Sequence, residues 1–176
     1  MNLKQQVVNL KYAKKLKKLG VKQKSLFYWT KAFYADGFNL SWGLEYKEMN
    51  KLRFFEYGDK KIKDVENCSA FTASELGEML PLRNKYWSDK LPEEKWSNEY
   101  WCEINLIWSG QDKKGRPKNA YSINYIGDLD KRGFQIFLLD ESISDENLAN
   151  AMAKMLVYLI ENNLYDPKTK KTQTTV

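Results

Sequence analysis

Residues 144–163, SDENLANAMAKMLVYLIENN, decide the fold. Leu148, Met152, Met155, Leu156 and Leu159 recur at helical spacing, and Ala149 and Ile160 widen the stripe. A hydroxyl at Ser142 or Ser144 suits the N-cap, because it accepts from a first-turn N–H that has no partner inside the helix. Asp145 and Glu146 then fall where the helix dipole favours negative charge. Asn162 and Asn163 tolerate the left-handed conformation that closes many helices, and Pro167 blocks any continuation. A helix with one broad apolar stripe needs a surface to cover, and a sheet with one apolar face supplies it.

The segments before this helix read as that sheet. WCEINLIW (101–108) alternates, with Cys102, Ile104, Leu106 and Trp108 on the face expected to turn inward. AYSINYI (120–126) alternates with Tyr121, Ile123 and Tyr125 inward, and FQIFLL (134–139) follows. Short links between the three imply an antiparallel meander.

Nearer the start, Asn9 is placed to cap a helix over 10–19, with Tyr12, Ala13, Leu16 and Leu19 inward. Lys11, Lys14, Lys15 and Lys18 fall within about a third of the opposite circumference at ~3.6 residues per turn. Gly20 fits the residue after the C-cap, which lets Val21 meet Leu16. The aromatic-rich region 25–57 reads as strands over about 25–34, 39–47 and 52–57, with Asp36-Gly37 as a hairpin turn. GDKKIKDVEN (58–67) reads as a polar connection. Thr72 and Glu75 have capping-box spacing for a short helix over 73–80 that Pro81 ends, and 82–99 reads as a surface loop. The class is α+β: antiparallel segments at about 25–57 and 101–139, packed by a helix at about 144–163, in a single domain over 1–166 with a flexible polar tail over 167–176.

Composition narrows the chemistry. The chain of 176 residues has no histidine, which removes Ser-His-Asp and Cys-His catalysis and His-containing zinc sites. Cys68 and Cys102 have no metal-ligand spacing, and they read as buried thiols of a reduced cytoplasm. No cofactor or metal is expected. Glu103, Asp128, Asp130, Asp140 and Glu141 lie near strand ends and could gather Mg²⁺, but turn chemistry explains the three aspartates better. No apolar run reaches the ~18 residues of a membrane span, and no signal peptide or membrane partner is expected.

Charge is uneven. Residues 1–35 hold nine lysines and no acidic residue, which leaves 20 basic and 23 acidic residues in the rest. Lys11, Lys14, Lys15, Lys18, Lys22 and Lys24 with Trp29 could track the phosphates of a nucleic acid and stack on its bases. A solvated face over buried aromatics explains the same residues. Trp87, Trp96, Tyr100 and Trp101 are of the types that protein interfaces favour, including self-association. A helix-turn-helix is disfavoured, because strand-forming aromatics follow Gly20.

Three stretches, AKKLKKLGVKQKSLFYW (13–29), CSAFTASELGEMLP (68–81) and AMAKMLVYLIENN (151–163), carry a resemblance. In this order they resemble a group of small proteins encoded by bacteriophages and prophages. The resemblance implies a mobile-element origin and a bacterial cytoplasm, but no reaction. The expectation is a non-catalytic accessory protein that binds a macromolecular partner: a phage or host protein, a nucleic acid, or a second copy.

Overall fold

The computed structural model describes residues 3–38, 41–46, 62–81, 83–84, 100–111, 113, 117–129, 135–139 and 143–168. A 3-10 turn at Leu3–Gln5 leads into helix α1, Leu10–Lys18. Strands β1 (Phe27–Tyr34), β2 (Gly43–Tyr46) and β3 (Ile62–Ser69) follow, then the short helix α2, Ala73–Gly77. Strands β4 (Arg83–Asn84), β5 (Tyr100–Gln111), β6 (Pro117–Leu129), β7 (Gln135–Phe137) and β8 (Ile143–Asp145) precede helix α3, Leu148–Glu161. The class is α+β with antiparallel sheets, as the periodicities predict.

Helix α1 begins and ends as its sequence dictates. The Asn9 side chain accepts from the Tyr12 N–H at 3.1 Å. Gly20 adopts φ +84°, the Gly20 N–H donates to Lys17 O, and the Val21 N–H donates to Leu16 O. This is a Schellman closure, and it buries Val21 beside Leu16. Helix α3 closes the same way: Asn163 is at φ +57° and the Leu164 N–H reaches back to Leu159 O at 2.8 Å.

The start of α3 differs from the expectation. Asn147, not a serine, is the N-cap, and its side chain accepts from the Asn150 N–H at 3.2 Å. Ser144 and Asp145 belong to β8, paired with Ser122 and Tyr121 of β6. The backbone of β8 is held by the sheet, so the helix starts only beyond it. Ser142 lies outside the described residues.

The first sheet has the order β2-β1-β3. The Asp36-Gly37 turn forms as expected, with Gly37 at φ +85° and the Phe38 N–H donating to Asp36 Oδ1. The third strand is a correction. Residues 58–67 read as a connection, yet Ile62–Ser69 pairs with β1 along most of its length. Among the described residues β3 is an edge, largely exposed until Cys68, and it carries Lys63, Asp64 and Glu66 instead of an apolar alternation. The strand expected over 52–57 lies outside the described residues.

The second sheet runs β4-β5-β6-β7, with β8 also paired to β6. Strand β4 falls inside the segment read as a loop. Asn124 sits where β7 gives way to β8. Its amide donates to Leu139 O at 3.1 Å and accepts from the Leu139 N–H, so a side chain stands in for ladder bonds.

One contiguous core joins the two sheets. Helix α3 lies over β6 and β8, against α1 and α2, and Ile123, Tyr125, Met155, Leu156 and Leu159 are fully enclosed. Each such aliphatic side chain contributes about 1.5–3 kcal/mol. The Tyr125 hydroxyl donates to Pro81 O, which ties β6 to the segment that follows α2. Val7 and Val8 are buried, and the Val8 N–H donates to Phe71 O.

Candidate functional site

Two surfaces gather the residues singled out by the sequence: the lysine face of α1 and the outer edge of β5.

On α1, Lys11, Lys14 and Lys18 are exposed and Lys15 is half-buried, while Ala13 and Leu16 are enclosed. Part of this face has local partners. Lys14 Nζ stands 4.3 Å from the Trp42 ring centroid, Lys15 pairs with Glu161 at 2.9 Å, and Lys17 donates to Asn67 O at 2.6 Å. Lys11 Nζ lies 5.5 Å from the ring centroid of Tyr12. Lys22 and Lys24 are exposed on the link to β1. Gln23 pins that link by accepting from the Ser69 N–H at 2.8 Å.

The same link forms one wall of a cleft of about 380 Å³, with Lys22, Lys24, Glu75, Glu78, Met79 and Tyr165 around it. Glu75 is committed inside the protein. Its carboxylate accepts from the Thr72 N–H at 2.7 Å, Ser25 Oγ at 2.9 Å and the Leu26 N–H at 3.0 Å. The capping box predicted from Thr72 and Glu75 is present, and it also anchors the start of β1. Burial, with Asp166 nearby, raises the Tyr165 hydroxyl above the usual tyrosine range.

Trp29 is not a stacking platform. It is 8% exposed, and its indole N–H donates to Val8 O at 2.9 Å. Its ring packs in the core beside Cys68, its partner across β3. Trp29 therefore adds no stacking ring to this face. Tyr100 is likewise enclosed, at 0% exposure, with its hydroxyl pushed up to about 12 by burial. Of the four expected interface aromatics, Trp101 is the one seen at the surface; Trp87 and Trp96 lie outside the described residues.

Strand β5 holds the feature that the alternation misread. Ile104 and Leu106, expected inward, are 43% and 63% exposed, and Ile107 is exposed on the other face. Ile104 stands opposite the buried Ile123 of β6, and Leu106 opposite half-buried Tyr121. The apolar face is thus covered at β6 and open at β5, because α3 lies over β6 and β8. Strand β4 pairs with β5 only at Tyr100 and Trp101. Among the described residues, β5 beyond Trp101 has a ladder partner only on its β6 side.

The two described carboxylates of the strand-end set stand apart. Glu103 opposes Asn124, and Asp128 stands further along β6. Asp130, Asp140 and Glu141 lie outside the described residues. Among the described residues, no three His, Cys, Asp or Glu side chains come together to hold a metal. Burial raises the Cys68 thiol to about 11 and also raises Cys102, despite a hydrogen bond with Tyr125, so both stay protonated near neutral pH.

A polar knot escaped the sequence reading. Asn150 is buried; its Oδ1 accepts from the Asn9 N–H at 2.8 Å and its amide donates to Asp145 at 3.3 Å. Asp145 also accepts from the Asn147 N–H and pairs with Lys154 at 2.8 Å. The signal available was the Asn-x-x-Asn spacing of 147 and 150 ahead of an apolar run.

No protein-family model, no curated protein and no solved structure matches this chain. Among the described residues, no helix is long and apolar enough to cross a membrane.

Proposed function

We propose that this chain is a non-catalytic accessory protein of a phage or prophage, and that it acts by binding another protein along the outer edge of β5. The mobile-element origin rests on the three resembling stretches. The binding mode rests on one observation: Ile104 and Leu106 stand exposed on a strand whose outer backbone edge, beyond Trp101, has no ladder partner among the described residues. Such an edge accepts a further strand through main-chain hydrogen bonds, and alternate side chains supply selectivity. The test compares proteins captured from infected and uninfected bacterial cells by the natural chain and by an Ile104→Lys/Leu106→Lys variant. A protein held by the first and lost from the second is expected. Identical captures by both would rule out this surface. A turnover screen with nucleotides, nucleic acids and esters, with and without Mg²⁺, covers the catalytic alternative; reproducible activity lost on Asp128→Ala would replace binding with catalysis.

A second reading has its own observation. Lys11, Lys14, Lys15 and Lys18 share one outward side of α1, with Lys22 and Lys24 beyond its end. That arrangement suits a phosphate backbone held by charge alone, without stacking on Trp29.

A further inference from the structure

We infer that the cleft between the α1–β1 link, α2 and the segment after α3 binds a small zwitterion with apolar side chains, of the class of a free dipeptide. This site is separate from β5, and it stands or falls without the protein-binding reading.

The cleft carries charge of both signs on different walls. Lys22 and Lys24 line it from the link, and Glu75 and Glu78 line it from α2. Among the described residues, no ion pair joins the two sides, whereas Lys15 on α1 is paired with Glu161. Glu75 has its oxygens taken up by neutral donors: the Thr72 N–H and hydroxyl, the Ser25 hydroxyl and the Leu26 N–H. It therefore adds negative potential to the α2 wall, and Glu78 is left to meet a cation. Leu26, 52% exposed, and half-buried Met79 give the same cleft an apolar lining.

These features select the ligand by exclusion. A simple anion would meet Lys22 and Lys24 but face two carboxylates. A simple cation would meet Glu78 but face two ammonium groups. A molecule with one charge of each sign answers both walls, and its side chains can cover Leu26 and Met79. A volume of about 380 Å³ suits a short molecule, at the small end of the ~300–1,000 Å³ of ligand pockets. The walls are also pinned before any ligand arrives. Gln23, between the two lysines, accepts from the Ser69 N–H and donates to Val21 O, both at 2.8 Å. The Leu164 and Tyr165 N–H groups both donate to Leu159 O, which fixes the segment after α3. Walls already in place spare the cost of ordering them on binding.

Titration calorimetry of the whole chain with leucyl-leucine at low ionic strength tests the site. N-acetyl-leucyl-leucine lacks the cation, and leucyl-leucine amide lacks the anion. The free dipeptide is expected to bind, and each blocked form to bind about tenfold more weakly, the worth of one charge-assisted contact. Glu78→Gln should weaken the free dipeptide about tenfold and leave the acetylated form unchanged, since that form has no cation to lose. Lys22→Gln with Lys24→Gln should weaken the free dipeptide and leave the amide unchanged. All three side chains are exposed, so the circular dichroism of the variants should match that of the natural chain. Glycyl-glycine, which has no apolar side chain, should bind more weakly than leucyl-leucine. No binding at millimolar dipeptide overturns the inference. So do equal affinities for the free and blocked forms, or a variant that weakens every form alike. Inorganic phosphate bound as tightly as the dipeptide would mark an anion site only, and would overturn it as well.

Discussion

At the scale of single residues, three asparagines and one aspartate link the starts of α1 and α3. Asn150 satisfies the Asn9 N–H from 141 residues away. Asn150→Ala leaves that half-buried donor without its amide partner, and an expected loss of about 1–3 kcal/mol follows. Urea unfolding measures it; a loss near zero would mean that water replaces the amide. Burial pulls the Asp145 carboxyl upward, but hydrogen bonds from Lys154, Asn147 and Asn150, with the Lys154 charge, outweigh it and hold the group below the usual aspartate range. A carboxyl lowered by folding adds stability above its unfolded pKa of about 3.9, and that stability is lost as pH falls through the lower folded value. Asp145→Asn is therefore expected to be less stable at pH 7 and to lose less stability between about pH 5 and pH 2. Parallel acid limbs for the two proteins would contradict the assignment.

At the scale of elements, α2 is short, yet it anchors more than itself. The Thr72 side chain caps the helix start, so Thr72→Ala is expected to cost about 1 kcal/mol. Glu75 also holds Ser25 and Leu26 at the entry to β1. Glu75→Ala removes charge-assisted bonds to both elements and should cost roughly 2–3 kcal/mol. Thermal unfolding of the two variants side by side decides it: equal losses would mean that the β1 contacts contribute nothing. Helices α1 and α3 end in the same left-handed closure, one through Gly20 and one through Asn163. Both closures were readable in advance because they depend on residues adjacent in sequence.

At the scale of the whole molecule, charge is segregated and so is apolar exposure. Seven of the nine lysines of residues 1–35 lie on α1 and its exit, while Ile104 and Leu106 lie on β5 of the second sheet. If α1 holds a phosphate backbone, log K falls against log salt by about 0.7 per contact on single strands and 0.9 on duplex. Four to six contacts give a slope of roughly −3 to −5. Lys11→Glu with Lys18→Glu is the cleaner probe, because Lys15→Glu would also face Glu161, its partner in the native protein. The double change should flatten the slope by about two contacts. No preference for single strands over duplex is expected, and Trp29 emission should not respond, because its ring is enclosed. Absence of binding at low salt would leave the lysines as a solvated face.

Sequence alone determined whatever is encoded within one or two turns of chain. The Asn9 cap, the Schellman closure at Gly20, the Asp36-Gly37 turn, the Thr72–Glu75 box and the apolar stripe of α3 each follow from neighbours in sequence. The tertiary structure alone decided which faces are covered. Alternation in β5 marks two faces but cannot say that α3 lies over β6 and β8 and leaves Ile104 and Leu106 open. The charges of β3 conceal a strand, because an edge exposed to water needs backbone partners and not apolar side chains. Trp29 reads the same in sequence whether it stacks on a base or fills a core; the Val8 carbonyl that takes its N–H settles it. Long-range pairing is fixed by where the chain is closed in space, and no local pattern carries that information.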